Sequence, residues 1–183
     1  IAAIRELTNA ETIIASAKYP LQRTLAEEFG ADIVVGPSEL KRAVRQVTGC
    51  RMIGNSLSGG SNVTIDAVGN ASSIKTSLDI TRPRGRVVML GMPGVTKVDL
   101  TPLWHREIEM VGSYTYGTEE LSNGETTSSY ELAFDLVREK KLEKLVTDTY
   151  PLDRYQDAIR HAADAGSLGS VKVVFDMRNE KRR

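Results

Sequence analysis

Along the chain, short continuous apolar runs alternate with stretches in which apolar residues recur at the spacing of a helix. Short β-branched runs predict strands, and the stretch after each run spaces its apolar residues as on one face of a helix. Clusters of Gly, Pro and Asn separate these stretches. The predicted strands cover residues 11–16, 31–35, 62–68, 85–90, 107–114 and 171–175.

The intervening stretches predict helices, and several of them carry recognisable ends. Pro20 can begin a helix on which Leu25 lies on the apolar face, and Gly30 ends it. Ser38 can cap the following helix, which Gly49 stops. The other predicted helices cover residues 1–7, 71–81, 101–106, 128–140 and 153–166, and the predicted loops cover 50–61 and 117–127.

Apolar strands that alternate with helices predict βαβ units, and therefore an α/β fold with a parallel sheet covered on both faces. In such a doubly wound sheet, ligands bind outside the carboxyl ends of the strands, where the strand order reverses. The residues that follow the predicted strands are therefore the candidate binding residues. They are Ala17, Lys18, Tyr19, Val68, Gly69, Leu90, Gly91, Met92, Ser113, Tyr114 and Thr115.

The composition narrows the possible functions. The chain has 183 residues, with 24 Lys and Arg against 24 Asp and Glu. This balance gives no support to binding of nucleic acid or of a membrane surface. No apolar run reaches the about 20 residues that cross a bilayer, and no signal-peptide pattern opens the chain. The single cysteine, Cys50, excludes an internal disulfide framework and a cysteine-rich zinc lobe, so a cytoplasmic protein is expected.

Four stretches carry a resemblance to a known family. They read LAEEFGADIVV, VTIDAVGNASSIKTSLDITRPRGRVVMLGMPG, EIEMVGSYTYG and YPLDRYQDAIRHAADAGSLGSVKVVF. In their succession the chain resembles the cofactor half of the medium-chain dehydrogenase/reductase family, which includes zinc-dependent alcohol, sorbitol and threonine dehydrogenases. The resemblance implies a Rossmann-like domain over residues 1–116 and a return segment of the catalytic domain over residues 117–183.

The resemblance also implies roles for individual residues. Family positions whose backbone approaches the nicotinamide are matched here by Leu90, Met92, Ser113 and Thr115. Positions beside the nicotinamide ribose are matched by Val68 and Gly69. A basic position near the pyrophosphate in some members is matched by Lys172.

Two features that the family needs do not occur in this sequence. The resemblance places the glycine-rich turn and the Cys, His and Glu zinc ligands upstream of Ile1. The sequence is therefore expected to be a fragment, without turnover or tightly bound zinc of its own. Loss of the first strand is expected to leave the strands beside it with unpaired edges. We expect packing or surface roles for His105, His161 and Cys50, so no catalytic or metal-binding residue is assigned.

Ala17 and Lys18 bear on the choice of nicotinamide cofactor. In NAD-dependent relatives a carboxylate at the position of Ala17 accepts hydrogen bonds from the ribose 2′-OH, and it would repel the 2′-phosphate of NADP. A neutral Ala17 removes that repulsion, and Lys18 can donate a charged hydrogen bond. The prediction is NADP, with NAD as the alternative. Tyr19 could stack on the adenine, and the alternative for Lys18 is a solvated loop lysine.

The predicted activity of the intact enzyme is hydride transfer between NADP(H) or NAD(H) and an alcohol or carbonyl substrate, assisted by zinc. Two alternatives stay open. One is a zinc-free reductase of the quinone oxidoreductase type, and the other is a non-catalytic nucleotide-binding module that regulates a partner. Leu132, Leu136 and Val137 form an apolar helix face that would pack on the absent domain, and a homo-oligomer is expected.

Overall fold

The structure is a computed structural model, which describes residues 1–54, 56–121 and 123–178. The helices are α1 (Ala2–Leu7), α2 (Pro20–Glu28), α3 (Leu40–Thr48), α4 (Ala71–Ile80), α5 (Thr101–His105), α6 (Ser129–Lys140) and α7 (Tyr155–Asp164). The strands are β1 (Ile14–Ser16), β2 (Ile33–Val35), β3 (Met52–Ile53), β4 (Ser56–Leu57), β5 (Ser61–Asp66), β6 (Thr81–Met89), β7 (Glu109–Gly112), β8 (Thr118–Glu120), β9 (Thr126–Ser128), β10 (Val146–Tyr150) and β11 (Lys172–Phe175).

The backbone divides into two compact units. The first consists of Ile1–Pro37 with the described part of Gly117–Arg183, and the second consists of Ser38–Tyr116. Each unit contains parallel strand pairs and helices, which is the α/β architecture that the sequence predicts. No helix within the described ranges is both long and apolar enough to cross a membrane.

In the first unit, α2 connects β1 to β2, and these two strands pair in parallel. Ile14 lies opposite Ile33 in the register. Pro20 is the first residue of α2, where its missing amide proton is not needed. Leu25 and Ala26 are the buried residues of this helix. The predicted βαβ connection is therefore formed.

Asp32 links α1 to the residue that precedes β1 through hydrogen bonds. Its carboxylate accepts a hydrogen bond of 2.7 Å from the amide of Ile13 and one of 2.6 Å from the guanidinium of Arg5. Arg5 also donates to the carbonyl of Gly30 at 2.8 Å. The hydrogen bond from the Ile13 amide, followed by that from Arg5, holds the pKa of Asp32 below its ordinary value.

The later part of the first unit contains a hairpin, the α-helices α6 and α7, two short 3-10 helices over Leu142–Leu145 and Leu152–Arg154, and a second parallel strand pair. β8 and β9 pair antiparallel, and Gly124 in the connection has φ of +83°. Ser128 caps α6, since its side chain accepts from the amide of Glu131 while the Glu131 carboxylate accepts from the Ser128 amide. β10 and β11 pair in parallel, with Tyr150 opposite Phe175.

The second unit is built on a three-stranded parallel sheet in the order β5-β6-β7. α4 connects β5 to β6 and contacts both strands. Asn70 and Ser73 form a capping box at its N-terminus. The core of this unit consists of Ile74, Leu78, Val87, Met89 and Ile108.

Among the described residues, β1 pairs only with β2, and β5 pairs only with β6. Each of these two strands therefore presents one backbone edge without a strand partner. The expectation that loss of a first strand leaves such edges stays a prediction.

The structure differs from the sequence-based prediction in several places. The predicted loop over residues 50–61 contains the β3–β4 hairpin, and the predicted loop over residues 117–127 contains β8 and most of β9. These strands are too short to show a period. α3 has Glu39, not Ser38, at its N-cap position. β10 was not predicted, because its half-buried residues, Asp148 and Tyr150, are polar or amphipathic and produce no apolar alternation.

Candidate cofactor-binding site

The carboxyl ends of β5, β6 and β7 form one edge of the second unit. β5 ends at Asp66 and β6 at Met89. The amide of Leu90 donates to the carbonyl of Asp66, and the amide of Ser113 donates to the carbonyl of Met89, both at 2.9 Å. This strand-end edge contains most of the predicted binding residues, namely Val68, Gly69, Leu90, Gly91, Met92, Ser113, Tyr114 and Thr115.

Several apolar side chains at the strand-end edge are exposed. Met92 is 87% exposed and Tyr114 is 86% exposed, and Val68 and Leu90 are also more than half exposed. Exposed apolar groups that cluster on one surface are typical of binding sites. Thr115 has φ of +59°, a backbone conformation that residues other than glycine rarely adopt and that is more frequent at functional sites.

Gly69 and Gly91 allow two strand ends to pack against each other. A Cβ added to Gly91 would lie 2.5 Å from the carbonyl carbon of Val68 and 2.6 Å from the amide nitrogen of Gly69. Gly69 itself has φ of +79°, which favours glycine. In the structure, the backbone that fills the space beside Gly91 is that of the neighbouring strand end.

Asp66 organises this edge, although the sequence pattern did not single it out. Its side chain is buried, and its Oδ1 accepts from the amides of Val68 at 2.8 Å and Gly69 at 3.0 Å. Its Oδ2 accepts from the hydroxyl of Ser73 at 2.8 Å. A carboxylate within an apolar run, placed two residues before the next turn, is the signal that could have found it, because Asp commonly binds backbone amides two residues ahead.

Ala17, Lys18 and Tyr19 follow β1 in the first unit. The amide of Ala17 donates to the carbonyl of Val35 at 3.0 Å, which continues the strand pairing by one residue. Lys18 is exposed, and its Nζ lies 5.2 Å from the centroid of the Tyr19 ring, within cation–π range. The Tyr19 ring lies against Gly166, where an added Cβ would approach it to 2.1 Å. Tyr19 is thus half-buried, with Gly166 in contact with its ring.

Arg23 places a second cation at this turn, which the sequence pattern did not reveal. It lies in the first turn of α2, and its Nε donates to the carbonyl of Ala17 at 3.0 Å. The main-chain amide of Arg23 donates to the carbonyl of Tyr19 at 3.1 Å. A basic residue in the first helical turn after a strand end is the signal that could have identified it. The turn therefore carries two positively charged side chains beside a neutral Ala17.

Lys172 is the first residue of β11 in the first unit, where it lies opposite Val146 and is exposed. The predicted binding residues therefore form two groups, the Ala17–Lys18–Tyr19 turn and the strand-end edge. Lys172 lies on a different strand, β11, and belongs to neither group. Each group lies wholly within one unit.

Each of the two histidines forms hydrogen bonds with residues of its own unit. His161 Nδ1 lies 2.9 Å from the Tyr150 hydroxyl, and its Nε2 lies 2.7 Å from the Ser170 hydroxyl. His105 is exposed, and its Nδ1 lies 2.8 Å from the carbonyl of Thr101. Across the described part of the chain, no group of three or more His, Cys, Asp or Glu side chains could hold a metal ion.

Comparison with known protein families and curated proteins gives consistent matches. The model of a family described as zinc-binding dehydrogenase matches residues 2–129, which is more than half of the chain. L-idonate 5-dehydrogenase (NAD(P)(+)) of Escherichia coli strain K12 is 26% identical over 178 residues, covering 96% of this chain and 46% of that protein. Sorbitol dehydrogenase of Mus musculus is 30% identical over 149 residues, covering 76% of this chain and 36% of that protein. The chain spans less than half the length of these relatives.

A solved structure, that of zinc-dependent alcohol dehydrogenase 2 from Streptococcus pneumonia, superimposes with a TM-score of 0.74. It is 20% identical, and the match covers 98% of this chain and 49% of that one. At this identity the likeness shows the fold. The predicted fold class, a Rossmann-like α/β fold, is confirmed.

Proposed function

The chain belongs to the zinc-binding dehydrogenase family, as its resemblance predicted, and we propose on that premise that the protein transfers a hydride between a nicotinamide cofactor and an alcohol or carbonyl substrate. The observation that carries the proposal is the strand-end edge of the second unit, with exposed Val68, Leu90, Met92 and Tyr114 around the glycine turns. This edge fits a nicotinamide nucleotide, because it combines apolar surface with main-chain groups at the carboxyl ends of parallel strands.

When bound, the cofactor supplies the hydride acceptor or donor. The residues of this chain bind and orient it. We propose that the nicotinamide and its ribose are held by Val68, Gly69, Leu90, Gly91, Met92, Ser113, Tyr114 and Thr115. We assign the adenosine end to Ala17, Lys18 and Tyr19, and a pyrophosphate contact to Lys172. These residues belong to the Rossmann domain of residues 1–116 and the return segment of residues 117–183 that we propose.

The substrate that we propose is a small-molecule alcohol, because relatives of this chain are named idonate and sorbitol dehydrogenases. Zinc is part of the proposal for the complete enzyme, since the family is described as one of zinc-binding dehydrogenases. None of its ligands is assigned to this chain. A cytoplasmic location, suggested by the single Cys50, and a homo-oligomeric state complete the proposal.

The cofactor that we propose is NADP rather than NAD. Three features of the turn after β1 support this choice: the neutral Ala17, the exposed Lys18, and Arg23, whose Nε is bonded to the Ala17 carbonyl. A charged hydrogen bond to the 2′-phosphate contributes about 1.5–3 kcal/mol, equivalent to at least tenfold in affinity. The two cations can therefore set the preference.

Titration of the complete protein with NADPH and NADH tests this choice. We expect Lys18→Ala and Arg23→Ala each to weaken NADPH binding about tenfold and to leave NADH binding within about twofold. Ala17→Asp should reverse the preference, because a carboxylate repels the 2′-phosphate. Arg45→Ala, which removes an exposed arginine of α3, is the control and should change neither affinity. Equal losses for both cofactors in the Lys18 and Arg23 variants would show that these residues do not contact the phosphate.

Assay of hydride transfer tests the activity itself. The complete protein should reduce NADP in the presence of a polyol such as sorbitol, and a zinc chelator should lower the rate. Reduction that a chelator leaves unchanged would favour a zinc-free reductase. Nucleotide binding without reduction by any alcohol would favour a regulatory module, and absence of nucleotide binding would refute the proposal.

A further inference from the structure

Asp66 connects the two turns that lie at the strand-end edge. Its carboxylate accepts from the amides of Val68 and Gly69 in the turn after β5. Its main-chain carbonyl accepts from the amides of Leu90 at 2.9 Å and Gly91 at 2.8 Å in the turn after β6. Asp66 is only 3% exposed, and it accepts hydrogen bonds from four main-chain amides. These amides form two neighbouring pairs, one at each of two strand ends.

We propose that Asp66 is a positioning residue that sets the conformation of the nicotinamide end of the cofactor site. This inference rests on the proposed function, because it takes the strand-end edge as the nicotinamide site. Asp66 is buried, so it acts on the cofactor through the two turns that its oxygens hold.

The mechanism of positioning follows from the packing of the turns. Two neighbouring amides that bind the same carboxylate oxygen restrict the backbone angles of Val68 and Gly69. Without that acceptor, both amides would lose their partner, which is unfavourable for the Gly69 amide because its hydrogen bond is buried. The Gly91 backbone lies against the same two residues so closely that a Cβ would overlap them. A rearrangement of the first turn therefore displaces the second.

Ser73 fixes the carboxylate from the other side. Its hydroxyl donates to Asp66 Oδ2 at 2.8 Å, and it also accepts from the amide of Asn70 at 3.0 Å as part of the α4 capping box. The carboxylate is thus held against the N-terminus of α4, while its other oxygen binds the turn. This arrangement makes the position of the turn depend on the position of a helix within the core.

Three variants of the complete protein separate positioning from general stability. Asp66→Ala removes the acceptor, whereas Asp66→Asn keeps an oxygen that can accept from both amides. Asp79→Ala is the matched control, because Asp79 is a mostly buried carboxylate of α4 that pairs with Lys75 at 2.7 Å, away from the turns. Thermal unfolding of all three variants reports the loss of stability that each substitution causes.

Two half-cofactor probes measure where binding is lost. Reduced nicotinamide mononucleotide reports the nicotinamide end, and 2′-phospho-ADP-ribose reports the adenosine end. In Asp66→Ala we expect the Kd of the first probe to rise at least about tenfold and that of the second to change less than about twofold. Asp66→Asn should stay within about threefold of the wild type for both probes, and Asp79→Ala should show no difference between them.

A measurement without cofactor tests the anchoring directly. Hydrogen exchange of the Val68 and Gly69 amides should be slow in the wild type and in Asp79→Ala, and fast in Asp66→Ala. Fast exchange in the wild type would overturn the proposal. Equal effects of Asp66→Ala and Asp79→Ala on both probes would also overturn it. In that case the proposed function would still stand, provided that the wild type binds both probes. If the wild type bound neither the probes nor NADPH, the proposed function and this inference would both be refuted.

Discussion

Single residues at the turns of this protein are constrained by neighbours that are distant in the sequence. Gly91 lacks a side chain because the backbone of Val68 and Gly69 occupies the space where its Cβ would be. Asp32 receives hydrogen bonds from Ile13 and Arg5, which come from two different segments. The effect of a substitution at such positions therefore depends on contacts that cross between elements.

Gly91→Ala should destabilise the protein by about 1–3 kcal/mol, because the new methyl group would overlap backbone atoms that cannot move independently. Denaturant unfolding measures the loss. Gly94→Ala is the matched control, since a Cβ at Gly94 has no atom within 4 Å. Similar losses in the two variants would contradict the packing argument.

The contribution of Asp32 to stability should depend on pH. Its pKa is lower in the folded protein than its ordinary value because of the Ile13 amide and Arg5. A lowered folded-state pKa means that the contribution is present above the ordinary pKa of about 4 and is lost as pH falls toward the folded-state value. The difference in Tm between the wild type and Asp32→Asn should therefore be larger at neutral pH than at about pH 3.

The control for this pH dependence is Asp153→Asn, which changes an exposed aspartate of the same unit. Its effect on Tm should be small at both pH values. A difference between wild type and Asp32→Asn that stays constant across this range would show that the ionised carboxylate of Asp32 does not stabilise the fold.

At the scale of elements, the helices differ in how much they depend on packing. α4 buries Ile74, Leu78 and Ile80. α6 has no buried residue, and Phe134 on it is 59% exposed. A helix with so little burial depends more strongly on its capping box and on its intrinsic propensity.

Ser128→Ala should therefore weaken α6. The substitution removes the hydroxyl that accepts from the Glu131 amide, and loss of a serine N-cap costs about 1 kcal/mol. Hydrogen exchange in the first turn of α6 should accelerate about fivefold. Ser72→Ala, at an exposed position within α4, is the control and should leave exchange in α6 unchanged. No acceleration in Ser128→Ala would mean that α6 does not depend on this cap.

At the scale of the whole molecule, both units expose large apolar side chains. Trp104 in the second unit is 80% exposed, and Tyr130, Phe134 and Val137 on α6 in the first unit are also exposed. Leu132 and Leu136, which the sequence predicted on the same apolar face, are half-buried. Surfaces of this kind favour association.

We expect the protein to self-associate and Phe134→Lys to weaken that association, because the substitution puts a charge on the exposed face of α6. Sedimentation velocity at several protein concentrations measures the change. Thr118→Lys adds the same charge at an exposed position of β8 and is the control. A monomer at all concentrations, or equal effects of the two substitutions, would contradict the involvement of α6.

The sequence by itself determined the α/β class, the α-helices, the strands β1, β2, β5, β6, β7 and β11 and the strand ends at which a nicotinamide cofactor is proposed to bind. The family was identified from the resemblance of four stretches, whereas the other features follow from local physics. Helical and strand periods, the proline that begins α2 and the glycine that ends α3 act through neighbouring residues, and each can be recognised within a short window.

Only the tertiary structure decided which residues hold the proposed binding turns in place. Asp66 bonds to turns after two different strands, Arg23 reaches back to Ala17, and β10 is stabilised by pairing with β11 and by polar contacts. None of these contacts produces a periodic pattern of apolar residues, because the partners are polar or distant in the sequence. Local periodicity shows which face of a helix or strand is buried. The residues that contact that face depend on how distant segments of the chain pack together.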